Sequence, residues 1–151
     1  LGAQNKDQAK RAGWGAMRLS IISMTFFGII IVTFAEPLAR FMIDNDEVVR
    51  LTVIFIWLLG SMQPLMAIEF SLGGALRGAG DTKTPLVITL TCLLFIRVFL
   101  AVIFFLLDAS IEIIFSTLLA DYIVKGFLYV SRFKSGRWIN VLKIKEVDQQ
   151  L

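Results

Sequence analysis

Four stretches long enough to cross a lipid bilayer leave this chain few ways to fold. They cover residues 19–35, 51–76, 85–107 and 111–133. In hydrocarbon every backbone N–H and C=O must find its partner within the protein, and a helix achieves this inside one segment. The expected fold is therefore all-α and polytopic, with four transmembrane helices arranged as two antiparallel hairpins. The first stretch is 17 residues without a charge. At 1.5 Å per residue it reaches about 26 Å, enough for a thin or untilted crossing. The second is long enough to require tilt or bending, and Pro64 in its interior predicts a kink. The third is broken only by Arg97, and the fourth by Glu112, Asp121 and Lys125. Asp108-Ala109-Ser110 joins these two and is too short for anything but a hairpin.

Between the second and third stretches the chain must leave the membrane, turn and re-enter. Gly78 and Gly80 can take positive φ and end the preceding helix. Thr84 or Asp81 can cap the next one, and Pro85 suits its first position, where no N–H is needed. Arg77 and Asp81 lie four apart and are expected to clamp the turn with a charge-assisted hydrogen bond. Elsewhere, Asn5 or Asp7 can cap a helix in the lead-in, and Asp44 or Asp46 can cap the second span. Pro37 can start a helical turn in the interface, and Trp14 and Trp138 are placed like interfacial anchors.

Composition agrees with a membrane protein. Hydrophobic residues make up 57% of the chain, with 13 Phe, beyond the usual range of a soluble domain. The single Cys, Cys92, excludes an internal disulfide, and with no His a zinc or haem site is not expected. The net charge of +3 implies no nucleic acid, because the basic residues gather at membrane edges. Twelve Lys and Arg fall in or beside the lead-in (1–18), the central turn and the tail (134–151). Only Arg40 and Arg50 lie on the other side. The positive-inside rule then places both ends and the central turn in the cytoplasm. The final residues, 146–150, read as disordered. The opening is polar and holds no signal peptide, so the chain reads as an excerpt of something longer.

Four charged residues stand away from the ends of the expected spans: Glu69, Arg97, Asp121 and Lys125. A charge at the bilayer centre costs about 2.5–3.5 kcal/mol on insertion scales, so each should face protein or water. Arg97 and Asp121 sit at similar distances from the hairpin joint and can pair across it. Lys125, four residues after Asp121, competes for the same carboxylate. The group is either a buried clamp or a charge switch that opens when a proton or substrate arrives. Glu69 has no basic residue of its own helix within one turn. It is the candidate for a carboxylate that exchanges a proton, with a wetted vestibule or pairing to Arg97 as the alternatives. Gln63, Met62 and Met66 can line a cavity for an aromatic cation or simply pack.

The run Leu76-Arg77-Gly78-Ala79-Gly80-Asp81-Thr82-Lys83-Thr84-Pro85 resembles the signature loop of the MATE transporters (multidrug and toxic compound extrusion). The opening Leu1-Gly2-Ala3-Gln4-Asn5 with Asp7, Ala9 and Arg11 is similar to the loop two helices earlier in that family. Arg97, Arg132-Phe133 and Gly136-Arg137-Trp138 resemble its last two helices. The resemblance implies twelve helices in two six-helix lobes, of which this chain would supply the last four. It implies a secondary antiporter in the cell membrane that exports organic cations or drugs, with no cofactor beyond a coupling proton or sodium ion. It implies partners as well: the lipid bilayer, eight preceding helices of the same transporter and a small organic cation. The family often places a cation-binding carboxylate in the helix that corresponds to the second span, where Glu69 lies. Pro64 and the glycine-rich turn would then be bending points during alternating access. Two alternatives are a lipid or glycolipid flippase on a related fold and a non-functional truncated product. An enzyme is not expected, because no nucleophile motif or metal cluster is present.

Overall fold

Residues 5–140 are described by a computed structural model, and they are helical almost throughout, with no strand among them. Helix α1 runs over Lys6–Thr33, α2 over Ala35–Met42 and α3 over Asp46–Gly78. Helix α4 covers Lys83–Thr91 and passes directly into a π-helical segment, Cys92–Val98, and then into α5, Phe99–Leu106. Helix α6 covers Ile111–Ser135, and a 3₁₀ turn follows at Arg137–Asn140. Four helical stretches have membrane length and composition: Lys6–Thr33, Asp46–Gly78, Lys83–Leu106 and Ile113–Ser135. The protein is a polytopic all-α membrane protein. The motif residues 1–4 and the tail from residue 141 lie outside the described residues.

The helix ends follow from local chemistry. Asn5 caps α1, its Oδ1 accepting from Gln8 N at 3.1 Å. Neither Asp44 nor Asp46 caps α3. Asn45 does so, accepting from Glu47 N at 3.0 Å and Val48 N at 3.2 Å. An amide oxygen at that position reaches two of the free N–H groups of the first turn. Helix α3 ends later than its sequence suggests, because Gly78 is still helical. Gly80 alone takes the left-handed conformation, at φ 82°. Its N–H bonds to Arg77 O (3.0 Å) and that of Asp81 to Leu76 O (3.0 Å), the paired bonds of a Schellman ending. The α5–α6 joint ends the same way, with Asp108 at φ 51° in place of a glycine. There Ala109 N bonds to Phe104 O at 2.9 Å.

Packing proceeds through α3. Helix α1 lies along one side of it and α6 along another, and α6 also packs on α4, the π-helical segment and α5. Pro64 does not interrupt α3, but it cannot donate to the Gly60 carbonyl one turn earlier. That carbonyl faces α1 at Gly28, where an added Cβ would lie 3.0 Å from it and 2.9 Å from Gln63 Cγ. A Cβ on Gly60 would in turn meet Val32 Cγ2 at 2.2 Å. Small residues here let two backbones approach closely, which is how helices associate in a bilayer.

The core lies at the end that carries the Asp81 turn. Leu72, Leu76, Ala79, Ile88, Cys92, Tyr129, Phe133, Trp138 and Ile139 are buried together there. Trp138 is not an interfacial anchor. It is 2% exposed, stacks on Phe133 at 4.9 Å and donates its indole N–H to Phe133 O at 3.0 Å. Gly136, at φ 69°, folds the chain back after α6 and brings the ring there. Trp14 is half-buried and meets Phe133 edge-on at 5.5 Å. Most of α1, α4, the π-helical segment and α5 presents apolar side chains outward, among them Phe27, Phe95 and Phe105, as expected of helices that face lipid or further helices.

Gly28→Ala should push α1 from α3 and lower stability by about 1–3 kcal/mol, the usual cost of overpacking. Unfolding of the intact protein in detergent checks this. Unchanged stability would mean that the two backbones do not meet at Gly28.

Candidate functional site: a buried charge cluster between two helices

Helix α6 carries Asp121, Lys125, Tyr129 and Arg132 at spacings of four, four and three residues, which places them on one face. That face looks toward α3 and the Asp81 turn. Lys125 Nζ lies 2.8 Å from Asp121 Oδ2, one helical turn earlier, and 3.9 Å from Glu69 Oε2 on α3. The side chains of Asp121, Lys125 and Glu69 are 0%, 6% and 15% exposed. The ammonium also stands 5.2 Å from the centre of the Tyr122 ring, within cation–π range. Apart from the ion pair with Lys125, neither carboxylate oxygen of Asp121 has a hydrogen bond among the described residues.

The expected pairing of Arg97 with Asp121 is therefore not formed. Similar depth does not bring two helical residues together unless they share a face. Arg97 lies in the π-helical segment, whose changed winding re-aims side chains, and it has no ion pair among the described residues. Lys125 is on the same helix as Asp121 at the favourable i,i+4 spacing and takes its place. Glu69 likewise meets Lys125 rather than Arg97.

A second ion pair lies at the turn. Arg132 donates from Nη2 to Asp81 Oδ2 at 2.7 Å and from Nε to the same oxygen at 3.0 Å. The other oxygen, Oδ1, accepts from the Thr84 hydroxyl at 2.7 Å and from Thr84 N at 3.3 Å. Asp81 thus caps α4, and Thr84 is the residue capped. The expected Arg77–Asp81 clamp is replaced by Asp81–Arg132, because the Schellman ending turns Asp81 toward α6. Thr82 precedes α4 without a side-chain cap bond, and Pro85 falls in its first turn, buried. The Tyr129 hydroxyl lies 3.2 Å from Thr89 Oγ1 and 3.4 Å from Pro85 O, adding a further tie between α6 and α4.

Burial would raise the Asp81 carboxyl, but the Thr84 hydroxyl and the Arg132 guanidinium outweigh it and hold the group below its ordinary value of 3.8. A carboxyl that is depressed in the folded state stabilises fully above the unfolded value, and the contribution fades as pH falls below it.

The cavity candidates separate. Met62 is fully buried and acts as packing. Gln63 lays its aliphatic carbons against Gly28, and Met66 is half-buried one turn before Glu69. An open groove of about 320 Å³ between α1 and α3 is lined by Thr25, Gly28, Trp57, Gly60, Ser61 and Pro64, with Ile29, Val32 and Thr33. No group of three or more potential metal ligands occurs among the described residues.

Four membrane-length helices, two of which hold a carboxylate–ammonium cluster between them, define a membrane protein with charge in its interior, where such groups are costly. The family model described as MatE matches residues 1–103, and the chain belongs to that family. It is 34% identical to a probable multidrug resistance protein NorM of Thermotoga maritima, over 91% of this chain and 30% of that protein. It is 37% identical to a protein of the same description from Oceanobacillus iheyensis, over 60% of this chain and 20% of the relative. A third, from Mesorhizobium japonicum, is 31% identical over 57% of this chain and 20% of the relative. The chain thus spans 30% or less of the length of these relatives. No solved structure matches it.

Two outcomes follow from the observed pairings. Asp81→Asn should lower the unfolding midpoint at neutral pH, and the gap from the native protein should begin to narrow as pH falls below about 3.8, where the unfolded carboxyl protonates, and close as pH falls through the lower folded value. A gap that persists unchanged to pH 3 would show that the charge of Asp81 is not what Arg132 holds. For the other pair, the effects of Arg97→Gln and Asp121→Asn on folded yield should add, because the two side chains do not touch. Strong non-additivity would restore the direct contact.

Proposed function

We propose that this chain forms part of the membrane domain of a secondary active efflux transporter. The transporter is an antiporter that exports organic cations or drugs in exchange for protons or sodium ions. The observation that carries this reading is the Glu69–Lys125–Asp121 cluster, two carboxylates and one ammonium buried between α3 and α6, in a member of the MatE family. The relatives described as probable multidrug resistance proteins support it.

Two carboxylates around one ammonium leave one negative charge without a resident partner. In a low-dielectric interior that charge attracts a cation. Glu69 is the more exposed of the two acids, so a proton or sodium ion can reach it. Binding there changes the charge between α3 and α6, and helices whose packing depends on that charge can settle differently with and without the cation. The remaining helices of the transporter would complete the lobe and the substrate path, against the apolar faces of α1, α4 and α5. The distribution of Lys and Arg supports an orientation with both ends and the Asp81 turn in the cytoplasm.

In the intact transporter, Glu69→Gln should abolish or strongly reduce cation-driven efflux of an organic-cation dye, with membrane abundance unchanged. Normal efflux by that variant would end the coupling role of Glu69.

A further inference from the structure

Lys125 holds a position that a simple structural clamp does not require. Its four-carbon stem is flexible, and its ammonium lies between carboxylates on two different helices, touching Asp121 at 2.8 Å and standing just off Glu69 at 3.9 Å. Asp121 is fully enclosed, with no hydrogen bond to either oxygen among the described residues. Its charge therefore depends on the ammonium alone. Glu69 is partly open, and a mobile cation can approach it without displacing Asp121.

We propose that Lys125 is a tethered internal cation that competes with the coupling cation for Glu69. This deepens the antiport reading and rests on it. With Glu69 empty, the ammonium leans toward it and shares its charge between the two acids. When a proton adds to the Glu69 carboxylate, or a sodium ion settles on it, Lys125 withdraws onto Asp121. The device keeps the empty site from burying two bare carboxylates, and so lets the protein pass through its unloaded state. It also sets how strongly an incoming cation must bind, since the cation has to outbid an ammonium already in place.

The surroundings leave few other groups to take that part. On α6, Lys125 is flanked by Asp121, Tyr122 and Tyr129. From α3 it faces Glu69, with Arg77 two turns further along within electrostatic reach of that carboxylate. From the π-helical segment the buried thiol of Cys92 lies in the field of the cluster. Of these, only Lys125 is both positively charged and within 4 Å of each acid.

The test is labelling of Glu69 in the purified intact transporter by the apolar reagent dicyclohexylcarbodiimide, read by mass spectrometry. The reagent attacks the protonated form of a carboxyl in apolar surroundings, so labelling reports how often Glu69 carries a proton, the state with which the Lys125 ammonium competes. Lys125→Met should raise labelling of Glu69 at neutral pH by roughly tenfold, the weight of one neighbouring opposite charge. Lys125→Arg, which keeps the charge, should stay near the native level. If Lys125→Met does not fold, Lys125→Met combined with Asp121→Asn removes the ammonium together with the acid that needs it, and a smaller rise over the native level is expected, because the Asp121 charge that favours a proton on Glu69 is lost as well. Labelling equal to the native level in the folded variant, or a rise as large with Lys125→Arg, overturns the proposal. The labelling involves no transport step. Unchanged labelling therefore removes the competition alone, while normal efflux by Glu69→Gln removes the coupling reading alone.

Discussion

One ammonium between two carboxylates, inside a bilayer, is the constraint to which the rest of the bundle answers. Such a group is tolerable only if the charges are held close and kept from lipid. Helix α6 supplies the ammonium and one acid, and α3 supplies the other. The two helices must therefore pack face to face at this depth, and they do so along much of their length. Helix α3 is then committed on one side to α6 and on another to α1, where Gly28 and Gly60 allow close approach.

The same face of α6 continues to the end of the bundle. Tyr129 reaches the start of α4, and Arg132 holds Asp81 at the turn. A change in charge at Lys125 would act on a helix whose next two turns grip the connection between α3 and α4. This gives a physical route from the cluster to the Asp81 turn, made of consecutive turns of one rigid element rather than of a chain of loose contacts.

Much of the architecture was legible because the bilayer leaves little choice. Residues 19–35 and 51–76 had to be helical once they were apolar and long, and a glycine had to end α3, although the sequence left Gly78 and Gly80 both open and only Gly80 takes the left-handed conformation at this turn. The pairings were harder to see. Arg77 and Lys83 were the cations close to Asp81 in sequence, yet the true partner lies 51 residues away, brought there by the packing of α6 on the turn. The signal was present in the spacing of Asp121, Lys125, Tyr129 and Arg132, which marks one polar face on an otherwise apolar helix. Arg97 could not be placed from spacing, because a π-helical segment changes which way a side chain points and has no clear mark in the local sequence. Trp138 looked interfacial because it follows the last span. The left-handed Gly136 turns it inward onto Phe133 instead.

The central claim is that Lys125 on α6 interacts directly with Glu69 on α3. A double-mutant cycle on the stability of the intact protein, using Glu69→Gln, Lys125→Met and the pair together, tests it most directly. The account predicts that the double variant is clearly more stable than the sum of the two single effects, because Lys125→Met leaves the Glu69 carboxylate without its cation, a cost that adding Glu69→Gln removes. Full additivity would contradict it and would leave the two residues as independent features of separate helices.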